Sequence, residues 1–158
     1  MMRIEEFYSL SVPLTGFSET ELKGTAAAPT YFTQLLDAVG EKVLIELDLR
    51  WKLIQKAAKG DQEKIKTGLR QEILSDPMLG PVTRNIMKMW YIATWYPLPN
   101  DWMERYVYNK ADPNPIILSP QAYKEGLVWK AIGRHPMGAK WPGYGSWEVS
   151  PDHLKDVF

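Results

Sequence analysis

The sequence predicts a mainly α-helical single domain, an irregular helical bundle with a long aromatic, Gly/Pro-rich C-terminal extension. Three observations carry this. Apolar residues recur in steps of three and four from Ile4 to Trp95, the spacing that lines one face of a helix. Several of these segments are opened by Ser or Asp and closed by Gly or Pro, residues that cap and stop helices. From Pro97 onward prolines and glycines crowd together, which excludes one continuous helix there. Residues 1–158 are therefore read as one domain, with a helical body over 1–95, an irregular loop over 96–118, a helix over 119–133 and an extended tail over 134–158. A chain of 158 residues is long enough to bury a core.

The first element places Ile4, Phe7 and Leu10 at helical spacing with Glu5 and Glu6 in its first turn, and Pro13 and Gly16 are expected to stop it. Ser18 and Glu21 form a capping box inside the hydrophobic staple Phe17 and Leu22. The short helix that starts there is cut at Gly24. The next runs from about Pro29 to Gly40, with Phe32, Leu35, Leu36 and Val39 on one side.

The clearest amphipathic helix follows, with Leu44, Leu47, Trp51, Ile54 and Ala58 as one inward stripe. Glu46 and Arg50 can pair across one turn. The charges of this helix are read as a solvated face. Asp61 caps a shorter helix that points Ile65, Leu69 and Ile73 inward, is weakened by Gly68 and ends at Pro77. Then Val82, Ile86, Met89, Trp90 and Ala93 form one face of a helix whose back carries Met87, Tyr91 and Trp95. A helix apolar nearly all round is buried on both sides, so this one is expected at the centre.

Between Tyr96 and Leu118, Pro97, Pro99, Pro113 and Pro115 exclude a continuous helix. Residues 102–108 read as a short strand or one helical turn, and 113–118 as a β-element pairing with it. Ser119 is then an N-cap with Pro120 at the first helical position. Gly133 is expected as a left-handed cap, and Pro136 bars resumption. Tyr123, Leu127 and Ala131, widened by Val128 and Ile132, make one stripe of that helix. Trp129 points the other way, above Ala122 and Gly126, small residues that leave the backbone bare for close approach. It reads equally well as a core anchor and as a contact to another subunit.

Composition narrows the function. Nineteen basic residues balance 19 acidic ones without a basic block, which argues against nucleic acid or an anionic membrane surface as main partner. The chain has no cysteine, so it supplies no disulfide, zinc thiolate, iron–sulfur ligand or thiol nucleophile. No apolar run approaches the roughly 20 residues that span a bilayer. No apolar signal core follows Met1, so no secretion leader is expected in this sequence. His135 and His153 lack partners at metal-ligand spacing. There is no GxSxG elbow, phosphate loop or GxGxxG after a strand. His135 before Pro136 reads as a surface or interface histidine. Tryptophans concentrated between Trp90 and Trp147 point to an interface. Trp90, Trp95, Trp102, Trp129, Trp141 and Trp147 are more indoles than such a domain is expected to bury with every N–H satisfied, so an exposed patch and self-association or aggregation are expected.

The stretches FYSLSVPLTGF, YFTQLLDAV, MWYIATWY and AYKEGLVWKAIGRHPMGAKWPGYGSW together resemble the small subunit of membrane-associated FAD-dependent sugar and polyol dehydrogenases, the sorbitol, fructose and glucose dehydrogenase complexes. The resemblance spans most of the chain, and its specific parts are the start and the C-terminal motif. It implies a helical subunit that holds no cofactor and is no enzyme by itself. Its partner would be a catalytic flavoprotein of the glucose–methanol–choline kind that holds FAD, often joined by a multihaem cytochrome c. The family also implies a periplasmic place at the inner membrane and a twin-arginine leader. Some members have a cysteine before a proline where this chain has His135 and Pro136, so a covalent or redox role there does not carry over.

The reading is thus a non-catalytic subunit that stabilises a flavoprotein and can escort it. Its expected interface is Trp129, His135, Pro136, Met137, Trp141, Pro142, Tyr144 and Trp147, with His135 to Trp147 running extended over the partner. Two alternatives stand beside it: an export or folding chaperone dispensable after maturation, and a free-standing carbohydrate-binding module using Trp141 and Trp147 as stacking platforms.

Overall fold

A computed structural model describes residues 2–107, 114–134 and 136. They form a mainly helical compact domain. Helix α1 (Ile4–Thr15) and the short α2 (Glu19–Gly24) lead into α3 (Ala28–Ala58), followed by α4 (Gln62–Gly68). A π-helical turn (Leu69–Leu74) joins α4 to the region of α5 (Leu79–Ile92). Then come β1 (Thr94–Trp95), α6 (Asn100–Tyr106), β2 (Ile116–Ile117), α7 (Pro120–Lys124) and α8 (Leu127–Ala131).

The capping signals act where expected. The Ser18 side chain accepts from the Glu21 amide at 3.3 Å, and Glu21 accepts from the Ser18 amide at 2.9 Å. Asp61 accepts from the amides of Glu63 and Lys64. One expected stop behaves differently. Pro13 lies within the last turn of α1, and Gly16, at φ 80°, closes the helix. A proline ring there removes only one late amide donor, so the turn survives. Gly40, at φ 74° and ψ 168°, is non-helical, so α3 is two helices meeting at a kink there, the stop the sequence predicts. Gly68 marks the change from α- to π-helix. Its bare Cα lies against Ile54, where an added Cβ would come within 2.8 Å of Cγ2.

Helix α5 packs against α1, α3, the π-helical turn, β1 and α8, the central position its apolar surround predicts. Val82, Ile86, Met89, Trp90 and Ala93 are all buried, as are Leu44, Leu47, Trp51, Ile54 and Ala58 of α3. The Trp90 ring lies 5.1 Å from Tyr31 edge-on and 6.0 Å from Phe7 in a stack. Its indole N–H donates to Ser11 Oγ at 2.9 Å, and that hydroxyl donates in turn to the Phe7 carbonyl.

Three of the six indoles lie inside the body, Trp129 is half-buried, and Trp141 and Trp147 lie outside the described residues. Trp90, Trp95 and Trp102 are buried, and the Trp102 N–H reaches the Met78 carbonyl at 3.0 Å. Over 96–118 the helical-turn alternative holds and the expected β pairing changes. Residues 100–106 form α6, and Ile116–Ile117 pairs antiparallel with Thr94–Trp95 instead, Thr94 opposite Ile117. Asn85 fixes the chain leaving this ribbon, donating to the Tyr96 carbonyl and accepting from the Tyr96 amide.

Candidate functional site at the C-terminal end of the bundle

The helix expected over 119–133 is two short helices. Ser119 caps the first, accepting from the Ala122 amide at 2.9 Å, with Pro120 in the first turn. The break falls at Gly126, which takes φ −53° and ψ 131°. An added Cβ at Gly126 would lie 2.7 Å from the Tyr91 carbonyl oxygen of α5. Close approach to the bundle therefore sets the break. It also reorients the apolar faces. Ala122 and Leu127 are buried, whereas Tyr123, Ala131 and Ile132 of the expected stripe are exposed. Gly133 takes the predicted left-handed conformation at φ 64°, and the Arg134 amide reaches back to the Trp129 carbonyl at 2.8 Å, closing α8.

Tyr91 organises this end. Its hydroxyl donates to the Thr15 carbonyl at 2.7 Å, satisfying an orphan acceptor at the end of α1. Its ring meets Phe17 edge-on at 6.2 Å, and its carbonyl faces Gly126. An ion pair between Lys130 and Glu21 ties α8 to α2. The Lys130 hydrogen bond, with further bonds from Ser18, holds the Glu21 carboxyl at about 2, below its ordinary 4.5. The pair joins residues 109 apart in sequence, so neither local pattern announces it.

Trp129 is half-buried. Its indole N–H donates to the Tyr123 carbonyl at 2.8 Å, and the two rings meet edge-on at 5.4 Å. Pro136 is buried, and with Glu21, Trp129, Lys130 and Arg134 it lines a cleft of about 300 Å³. His135, Met137, Trp141, Pro142, Tyr144 and Trp147 lie outside the described residues, so the structure brings together only Trp129 and Pro136 of the expected interface.

The exposed large apolar side chains of the described residues fall in two groups. Ile92, Ile117, Tyr123 and Ile132 belong to the end of α5 and the elements after it. Ile45, Leu49 and Leu53 sit one turn apart on the outer side of α3. In the sequence the second group is masked by the stronger Leu44–Ala58 stripe of the same helix. The solvated-face reading of α3 is also corrected at Asp48. It is 4% exposed, one carboxylate oxygen binds Lys52 at 2.8 Å, and Oδ1 has no hydrogen-bond donor. Beside α3, Leu53, Ala57, Thr67 and Gly68 help line a largely apolar groove of about 620 Å³.

Among the described residues, no three His, Cys, Asp or Glu side chains gather at metal-binding geometry, and no helix is long and apolar enough to cross a membrane. No protein-family model, curated protein or solved structure matches the chain.

Proposed function

We propose that this chain is a non-catalytic small subunit of an FAD-dependent sugar or polyol dehydrogenase complex. It docks on the flavoprotein through Trp129 and the following segment, His135, Pro136, Met137, Trp141, Pro142, Tyr144 and Trp147. The observation that carries the reading is the C-terminal motif AYKEGLVWKAIGRHPMGAKWPGYGSW, which continues from the end of the bundle where Tyr123 and Ile132 stand exposed. Aromatic side chains of this kind are typical anchors of protein interfaces. FAD would belong to the partner, and this chain would hold no cofactor. A multihaem cytochrome c would complete an assembly on the periplasmic side of the inner membrane.

The subunit's physical work would be to bind only the folded flavoprotein and so stabilise it by mass action. Purification of the full chain from its native host should bring down a yellow flavoprotein in fixed ratio, with polyol- or sugar-dependent dye reduction. Activity residing in protein that lacks the chain, with the chain eluting free, would refute the reading. Replacing Trp141 and Trp147 together by alanine should weaken that complex, each truncation costing about 2 kcal/mol or more, while the circular dichroism of the body persists. Unchanged affinity in that variant would remove the tail from the interface.

A further inference from the structure

We infer that the outer face of α3 is a self-association surface that takes a second copy of this chain in antiparallel orientation. This is independent of the proposed function, because it concerns a different face and a single kind of chain.

Ile45, Leu49 and Leu53 are 40%, 53% and 62% exposed. Spaced by four residues, they form a ridge about 12 Å long within an arc of about 80°. Two such ridges pack at a crossing angle of about −50°. Contact would then centre on Leu49, with Ile45 of one copy beside Leu53 of the other. At that angle the helices diverge toward Lys42 and Lys56, which stay in water.

The charges beside the ridge select the occupant. One flank carries Glu46 and Arg50, paired at 2.9 Å. The other carries Asp48 and Lys52, paired at 2.8 Å. On both flanks the acid lies toward the N-terminus and the base toward the C-terminus. Glu72 of the π-helical turn also contacts Arg50, at 3.6 Å, and helps hold it on its flank. A two-fold axis beside Leu49 keeps each flank on its own side and reverses its direction. It therefore brings Glu46 of one copy near Arg50 of the other, while the buried Asp48 stays beneath its own Lys52. A parallel arrangement would set like charges together, which is unfavourable across an interface. A surface whose charge pattern is complementary to its own reversed image suits a second copy of itself, since a two-fold contact uses the same patch twice.

The test is sedimentation velocity on the full chain over a concentration series, with circular dichroism as a control for folding. The wild type should show a reversible monomer–dimer equilibrium. Leu49→Arg places two cations face to face at the axis and should weaken dimerisation by at least about tenfold. Glu46→Arg alone should weaken it less. Adding Arg50→Glu to Glu46→Arg restores an acid and a base on that flank in reversed order. An antiparallel copy still matches this pattern, so the double variant should recover dimerisation. A wild type that stays monomeric throughout the series overturns the proposal. So does a dimer indifferent to Leu49→Arg, or one that the double variant fails to restore. Loss of flavoprotein capture on Leu49→Arg in a monomeric wild type would assign the face to that partner instead, which also overturns it.

Discussion

Helices α3 and α8 both pack against α5, and they are held there by different means. Helix α3 buries Leu44, Leu47, Trp51 and Ile54 over successive turns. Its attachment is a matter of apolar area, spread over many contacts. The α7–α8 pair buries only Ala122 and Leu127 among its larger neighbours. Single contacts tie it to the rest, the Lys130–Glu21 ion pair and the bare backbone of Gly126 against Tyr91, while the Ser119 cap and the Trp129 bond to the Tyr123 carbonyl hold the pair to itself. Area tolerates the loss of small parts. Individual contacts do not, and an element held by them is free to open without unfolding the rest. A docking end that must adapt to a partner is suited to the second arrangement.

The largest effect should come from the area-held side. Trp51→Ala should destabilise the whole domain by about 3–5 kcal/mol, read as a lower denaturant midpoint with one cooperative transition. A change confined to a local signal would show that α3 is not part of the common core.

Gly126→Ala should cost about 1–3 kcal/mol through overpacking against the Tyr91 carbonyl. Its effect should be local. Amide hydrogen exchange should accelerate across 119–134 while α3 and α5 keep their protection. Equal acceleration in α3 would erase the contrast between the two regions. Gly40→Ala tests the one place where α3 depends on a special conformation. Nothing lies within 4 Å of the added Cβ, so the change costs only the backbone strain of a positive φ with an extended ψ of 168°, about 1–3 kcal/mol. A larger loss would mean that the bend at Gly40 sets the position of the whole distal half.

The smallest effect concerns acid. Glu6 and Glu21 are both held at about 2 in the folded chain against an ordinary 4.5, Glu6 chiefly by the Arg3 hydrogen bond and Glu21 chiefly by Lys130. A depressed carboxyl contributes its full stabilisation above the unfolded value and loses it as pH falls toward the folded one. Both contributions should therefore fade between about pH 4.5 and 2. The Glu6 pair is local to the first turn of α1, whereas the Glu21 pair joins two elements. Acid should thus raise hydrogen exchange in α8 before the core responds, and Lys130→Met should remove that early step. An α8 that stays protected down to core unfolding would show that the ion pair contributes nothing to docking.

The helical class, the caps at Ser18, Asp61 and Ser119, the inward stripe Leu44 to Ala58 and the central place of α5 were all legible in the chain. Each rests on neighbours within a turn or two, where helix geometry alone decides which side chains share a face. The α3 outer ridge was equally present, but two apolar rows on one helix do not say which is covered.

Tertiary structure decided the rest. Gly126 reads in the sequence as a small residue that leaves the backbone bare for close approach, but only the fold shows that the Tyr91 carbonyl of α5 is what approaches it. That single approach divides the helix, buries Ala122 instead of Tyr123, and leaves Tyr123 and Ile132 in water. Ile116–Ile117 finds β1 rather than residues 102–108 because 100–106 coil into α6. Ser11 matters because a Trp90 indole 79 residues away needs an acceptor. Asp48, on what reads as a solvated face, is buried by the packing around it. In each case the deciding contact joins segments that no local pattern relates, because it depends on where a separate element comes to rest.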